Sequence, residues 1–575
     1  MAAAASETSV YFKPALCANQ HNTNGTFAQC TNDGSSTCGG CQIVQYCSKE
    51  CQKADWPHHK TTCKSALMKS SWKPRWYYEC RMPAFVGNGP PLVQFGTKKY
   101  LWGNMPALDI LKLKDNEGNI DTKQDLELLF AASGDPRNVI KTIVGLPPGH
   151  KGKCVVIIND MDFDIVARNA IILIIALHYD TEVAVPMIIH VWYSALLPSV
   201  MVQSLQSDIL PMIKDVCDKT NNKARDSLQA KTFNVHGRTL RLVLKKEEWM
   251  RLVTYFHVPE GLSAEKAQTI RRDITLAPSR IDYRERAMLW WSPALRQGEM
   301  YFRESGVLLP YGCSTAAFDT PNPTLFQAHD WPMMDNASPR HGWAHAEYCK
   351  HSPAAKADHF GAVFLHLRDL LTKFCERLGK VRISFELLCI NAVGITNHVG
   401  ARRFDRIEIS NICDRGYVGP HSSLEVFSPL LKDKKTSPKA TLIMLFLNAV
   451  KETDYISSNI IKNTRMHLAM TRTQKFMPLD GSWTGLESYG DIELTRRTSC
   501  LDLLTNWHSV FDTFMKETQL SEFAEMCGVR VKSKHTIVEP WPYTLGPRAT
   551  QKEFDALTAA STSGFERYLE FEKLQ

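Results

Sequence analysis

Residues Leu126–Ile143 read LELLFAASGDPRNVIKTI. The apolar run Leu126–Ala132 (LELLFAA) has the length of a buried strand and stops at Ser133, Gly134, Asp135 and Pro136, ordinary turn-forming residues. RNVIKTI then reads as helix, and a second apolar run, Cys154–Asn159 (CVVIIN), ends at Asp160 and Asp162. A long helical pattern follows from Phe163 to His178. Strand, turn, helix, strand, acid, helix is the opening of a doubly wound, Rossmann-like α/β unit.

Working outward, Val381–Ile390 (VRISFELLCI), Arg406–Asn411 (RIEISN) and Ala440–Phe446 (ATLIMLF) resume the buried-strand pattern. The expected organisation is a disordered start over 1–16, a zinc module over 17–63 and a linker over 64–100. The α/β domain then runs over 101–192 and 351–490, interrupted by a mostly helical insertion or second lobe over 193–350. Amphipathic helix and loops fill 491–575, ending in solvated charge at EFEKLQ. The loop signal Gly87–Pro91 (GNGPP) marks the end of the linker. Val183–Val202 has the length of a membrane span with only His190 ionisable, but Pro186, Pro198 and the lack of another comparable segment favour a buried helix.

The chain has 575 residues, enough for about two to four domains. Its 44% hydrophobic and 22% charged residues are those of an ordinary globular protein. The net charge of +8 is small for this length and dispersed, which argues against a nucleic-acid partner. Met1–Ala5 lacks the basic segment and apolar core of a secretory signal, so a reducing compartment, cytosol or nucleus, is expected.

Of the 17 cysteines, a close-spaced set lies between Cys17 and Cys63, and such clustering in a reducing compartment reads as metal binding rather than disulfides. Four ligand pairs follow: Cys17 and Cys30, Cys38 and Cys41, Cys47 and Cys51, His59 and Cys63. Eight thiolate or imidazole ligands fill two closed tetrahedral zinc sites with no position left for water, so both ions are structural. Cys17 and Cys30 are separated by a long Asn- and Gly-containing loop, and His21 is an alternative to Cys17. His58 competes with His59, but only His59 gives the three-residue spacing to Cys63.

Cys38/Cys41, Tyr46 before Cys47/Cys51, then Trp56 and His59/Cys63 resemble the MYND finger. The resemblance implies interleaved ligation, with Cys17, Cys30, Cys47 and Cys51 on one zinc and Cys38, Cys41, His59 and Cys63 on the other. It also implies a protein partner, a short Pro-containing peptide held near Gln52 and Trp56; the alternative is a finger that packs only on its own chain. Farther on, Gly103–Leu111 (GNMPALDIL), Leu126–Ile143, Ile158–Leu173, Gly306–Gly312 (GVLLPYG) and Phe404–Pro420 resemble a domain of unknown function. That domain accompanies MYND fingers in fungal proteins and opens the axonemal dynein assembly factor family. The resemblance implies kinship without a mechanism.

The main expectation is an adaptor whose finger docks a partner and whose α/β domain is a scaffold, with no membrane partner. The alternative is S-adenosylmethionine-dependent methyl transfer, with Gly134 where backbone approaches the cofactor and Asp160 or Asp162 on its ribose hydroxyls. Asp405 to Asp414 would lie near a later strand end. One glycine is a weak signal for such a turn, and Asp160 and Asp162 suit helix capping equally well. SET-type lysine methyl transfer is excluded, because Asn397-His398 is followed by no Pro-Asn and no later cysteine cluster exists. His341, His345, His351, His359 and His366 crowd one region, but only His345 and Cys349 share helical spacing, so a third metal site is not expected.

Overall fold

The computed structural model describes residues 7–20, 29–86, 95–118, 121–235, 237–455, 457–478, 491–560 and 562–575. His21 and the Gly87–Pro91 turn lie outside the described residues. In the finger, strands β1 (Ser36–Thr37) and β2 (Gln45–Tyr46) form an antiparallel hairpin ahead of helix α1 (Lys49–Cys63).

The body is a mixed α/β structure built on one large sheet. Its strands are β3 (Leu126–Phe130), β4 (Lys153–Asp160), β6 (Leu228–Val235), β7 (Arg238–Lys245), β9 (Arg382–Cys389), β10 (Arg406–Glu408), β11 (Thr441–Phe446), β12 (Val529–Val531) and β13 (Arg567–Lys573). A separate small pair joins β5 (Leu196–Pro198) to β8 (Phe318–Pro321). The large sheet runs β12-β13-β11-β10-β3-β4-β9-β7-β6. From β11 to β7 every neighbour is parallel, and the outer pairings at both ends are antiparallel.

Alternation along β3 explains why its run has no polar face. Leu128 and Phe130 enter one apolar core while Leu129 and Ala131 enter another, so both faces of the strand are covered. On the first face lie α2 (Arg137–Gly145), α3 (Phe163–His178), α4 (Thr181–Tyr193) and α7 (His359–Lys380), with α7 against α2 and α4. Helix α3 is buried from Phe163 to Leu177, which accounts for a sequence apolar all round. Between α4 and α7 come α5 (Pro293–Ser305) and the single turn α6 (His345–Tyr348).

Several segments differ from the sequence reading. The run Val183–Val202 is not one helix: α4 stops at Tyr193, β5 ends at Pro198, and a new helix starts at Ser199. Among the described residues no helix is long and apolar enough to cross a membrane. The region 193–350 is largely helical, but its β6–β7 hairpin extends the central sheet, with β7 parallel to β9. Residues 7–16, expected to be disordered, pack: Tyr11 meets the rings of His190 and Phe318. In the expected linker, Trp76 is buried and Arg81 forms a two-pronged ion pair with Asp282 at 2.6 and 2.8 Å.

The solvated end predicted at EFEKLQ is corrected most plainly. Glu570 is fully buried in β13, which pairs antiparallel with β11. Its carboxylate accepts from Lys532 Nζ at 2.9 Å and from the backbone N–H groups of Ile537 and Val538 at 2.8 and 2.9 Å. Paired and hydrogen-bonded, that charge tolerates burial.

Candidate metal centre

Local chemistry builds the finger. Ser48 caps α1 by accepting the Cys51 N–H at 3.2 Å, which sets Cys47 just ahead of the helix and Cys51 on its first turn. Tyr46 donates its hydroxyl to Asp55 at 2.7 Å inside the fold, fixing the hairpin against α1. His59 and Cys63 then fall one turn apart on the last part of that helix.

The eight residues named from spacing gather as two groups. Cys17, Cys30, Cys47 and Cys51 form one and Cys38, Cys41, His59 and Cys63 the other, each with its ligand atoms within 4.8 Å of one another. In the first, Cys30–Cys47, Cys47–Cys51 and Cys51–Cys30 sulfurs stand 3.7, 3.5 and 3.9 Å apart. In the second, Cys38 and Cys63 sulfurs are 3.9 Å apart, and Cys41 Sγ is 3.4 Å from His59 Nε2. Thiolates bound at about 2.3 Å in a tetrahedron stand about 3.8 Å apart, and a thiolate and an imidazole about 3.6 Å. Both groups are compatible with zinc. Burial pushes the Cys17 and Cys41 thiols up to about 12 and pulls His59 down. An arriving ion therefore displaces protons from the thiols and meets a neutral imidazole.

One side of the finger is covered by the body. Ala357 N–H donates to the Gln42 carbonyl at 3.1 Å, and Ala355 N–H to Gln45 Oε1 at 3.1 Å. Ser65 donates to Gln297 of α5 at 2.7 Å. Along α1, Trp56 keeps 38% of its surface exposed, and Gln52 is half-buried.

The turn after β3 has a different character. Gly134 takes a positive φ of 56°, donates its N–H to Asp160 Oδ2 at 2.9 Å, and accepts from Asn169 Nδ2 at 2.8 Å. Asp160 Oδ1 accepts the Asp162 N–H at 2.9 Å, and Asp162 caps α3 through the Asp164 N–H at 2.8 Å. Burial raises the Asp160 carboxyl above its ordinary range. Asp405 accepts from the Glu127 N–H and from Lys432, and Asp414 from the backbone of Leu447 and Asn448. The crevice beside the ends of β3, β10 and β11, bordered by Arg137, Glu408 and Ser410, holds only about 40 Å³.

Three residues have roles that sequence reasoning missed. Buried Asp135 accepts from Gly103 N–H at 2.8 Å and Trp192 Nε1 at 3.2 Å, and is ion-paired with Arg137. Its place in the Gly-Asp-Pro turn read as turn chemistry alone. Glu408 closes β10 with one carboxylate oxygen buried and unpartnered, and burial raises its carboxyl to about 7. His359 is brought against His345 and Cys349, a meeting visible only in the fold.

Residues 28–63 match the MYND finger family, and residues 101–197 match the family described as a domain of unknown function (DUF4470). Cys17 precedes the matched finger, yet stands in the first cluster. A Schizosaccharomyces pombe "SET domain and MYND-type zinc finger protein 6" is 46% identical over 52 residues, 9% of this chain and 11% of that protein. The Mus musculus N-lysine methyltransferase SMYD2 is 42% identical over 55 residues, 9% of this chain and 12% of its own. A Caenorhabditis elegans hypoxia-inducible factor prolyl hydroxylase is 39% identical over 87 residues, 14% of this chain and 12% of its own. The chain thus spans only about an eighth of the length of these relatives, and the methyltransferases match over the finger region alone. No solved structure matches. The chain carries a MYND finger followed by a DUF4470 domain.

Proposed function

We propose that the protein is an adaptor: its finger, holding two structural zinc ions on the eight residues above, docks a partner protein, and its α/β body is the scaffold that presents it. The observation carrying this reading is the two-sidedness of the finger. Gln42 and Gln45 face the body, while Trp56 lies open on α1. An exposed Trp is the residue type that anchors interfaces, and a Pro-containing peptide stacks well on such a ring. The test is a calorimetric titration of the full chain with Pro-containing peptides, repeated with Trp56→Ala. The variant should keep its zinc and lose binding; binding retained in full by the variant overturns the assigned surface.

Methyl transfer is the second reading, supported by the doubly wound reading of the sheet and by Gly134 and Asp160 lying at the ends of β3 and β4. It is the weaker one, since both Asp160 oxygens already accept backbone N–H groups. Absence of S-adenosylmethionine binding to the full chain at millimolar cofactor removes it.

A further inference from the structure

The third Cys/His cluster lies outside the finger. His345 opens α6, Cys349 follows one helical turn later, and His359 is the first residue of α7. One ligand atom from each lies within 4.8 Å of the other two. Cys349 Sγ stands 3.6 Å from His345 Nε2, matching the separation of about 3.6 Å expected for a thiolate and an imidazole on one tetrahedral zinc. The His345 and His359 rings are 5.5 Å apart at their centroids.

Three features hold these ligands in place without metal. Asp358 accepts the Gly361 N–H at 2.8 Å and the Tyr311 N–H at 2.8 Å, fixing the start of α7 and with it His359. The segment between Cys349 and His359 is pinned to the finger through Ala355 and Ala357. His345 also stacks edge-on against buried Tyr348 at 5.2 Å. Ring packing alone accounts for none of the unmet bonding: His359 Nδ1 is buried with no hydrogen-bond partner, a state that costs free energy unless a ligand takes that nitrogen. The Arg340 guanidinium in the neighbourhood is paired with the Glu299 carboxylate at 3.3 Å, so its charge is locally offset against an incoming cation.

We propose that His345, Cys349 and His359 form a third metal site that takes one zinc ion, separate from the two of the finger. Imidazole and thiolate are the ligand types zinc prefers. Its chemistry differs from that of the finger in ligand count. Three protein ligands leave a fourth tetrahedral position for water or a small anion, where the finger clusters leave none. His345 borders a cavity of about 170 Å³ that also touches Arg340, His341, Trp343 and Tyr543, large enough to admit such a ligand.

The experiment is metal analysis of the zinc-loaded full chain after exhaustive dialysis. Wild type should carry three zinc ions per chain, and Cys349→Ser and His359→Gln each two, with circular dichroism unchanged. Two ions in wild type and in both variants would overturn the site. Should either variant misfold, titration of metal-free wild type with cobalt decides the matter. A third equivalent should add a charge-transfer band of single-thiolate intensity, and saturation at two equivalents sinks the proposal.

Discussion

The finger and the turn after β3 are the two places where the sequence suggested a ligand, and they differ in what their polar atoms do. In the finger, sulfurs and an imidazole nitrogen converge on each other at 3.4–3.9 Å, a crowding that only a shared cation rewards. At the turn, Gly134, Asp135, Asp160 and Asp162 are already engaged with backbone or with Arg137. A constellation that converges on one point with unmet bonding is a site; one that satisfies itself is architecture.

The sharpest way to break this contrast is to remove metal. A strong chelator should unfold the finger and leave the sheet intact, because structural zinc supplies about 10–16 kcal/mol of folding free energy to such modules. Limited proteolysis should then cut first within residues 29–63, and early cutting within β3 or β4 would collapse the distinction. Acid should act in the same direction. The raised Cys17 and Cys41 thiols favour the protonated form, so zinc occupancy, read by metal analysis, falls as pH falls.

Next in size is Asp135→Ala, which strips the partner from Arg137 and the acceptor from Gly103 N–H and Trp192. Denaturant unfolding should show a loss of about 3–5 kcal/mol with zinc content unchanged. Zinc loss without destabilisation would reverse the assignment of the turn as architecture.

A smaller, pH-dependent effect is expected at Glu408. Its carboxyl rises from the ordinary 4.5 to about 7 in the fold because it is buried, so the native state holds a proton that the unfolded state has released. Stability from this group is present below about 4.5 and is lost as pH rises toward 7. Glu408→Gln, which keeps the neutral shape, should therefore gain on wild type by about 2–3 kcal/mol between those limits. A pH-independent difference would mean that the carboxyl is ionised throughout. The smallest stability effect belongs to Trp56→Ala, within about 0.5 kcal/mol by thermal melting, since the ring is a surface contact. A large loss would mean that Trp56 serves the fold and not a partner.

How much of this was legible depended on the range of the interactions. Strands β3, β4 and β11 announced themselves because burial on both faces leaves nearly continuous apolar runs, and β9 because Ile383, Phe385 and Leu387 alternate with Arg382, Ser384 and Glu386. The finger ligands were legible because spacing along one segment dictates which side chains meet. β7 was missed because its charged residues, Arg238, Arg241 and Lys245, interrupt the apolar run inside a helical region. β13 was missed because Glu570 looks solvated until Lys532 and the backbone of 536–538 are placed around it. His359 likewise acquires meaning only when the start of α7 is folded back onto α6.

The place of β13 sets the order in which the sheet can be completed during synthesis. Strand β11, buried along its whole length and apolar from Leu442 to Phe446, pairs on one side with β10 and on the other with β13, a strand made long after it. Until residues 567–573 leave the ribosome, β11 is an open hydrophobic edge of the kind that recruits foreign strands. The nascent chain thus passes through a window in which the β11 edge awaits its own strand. Burial of Glu570 closes that window, because its charge finds a partner only once β13 is in register beside Lys532.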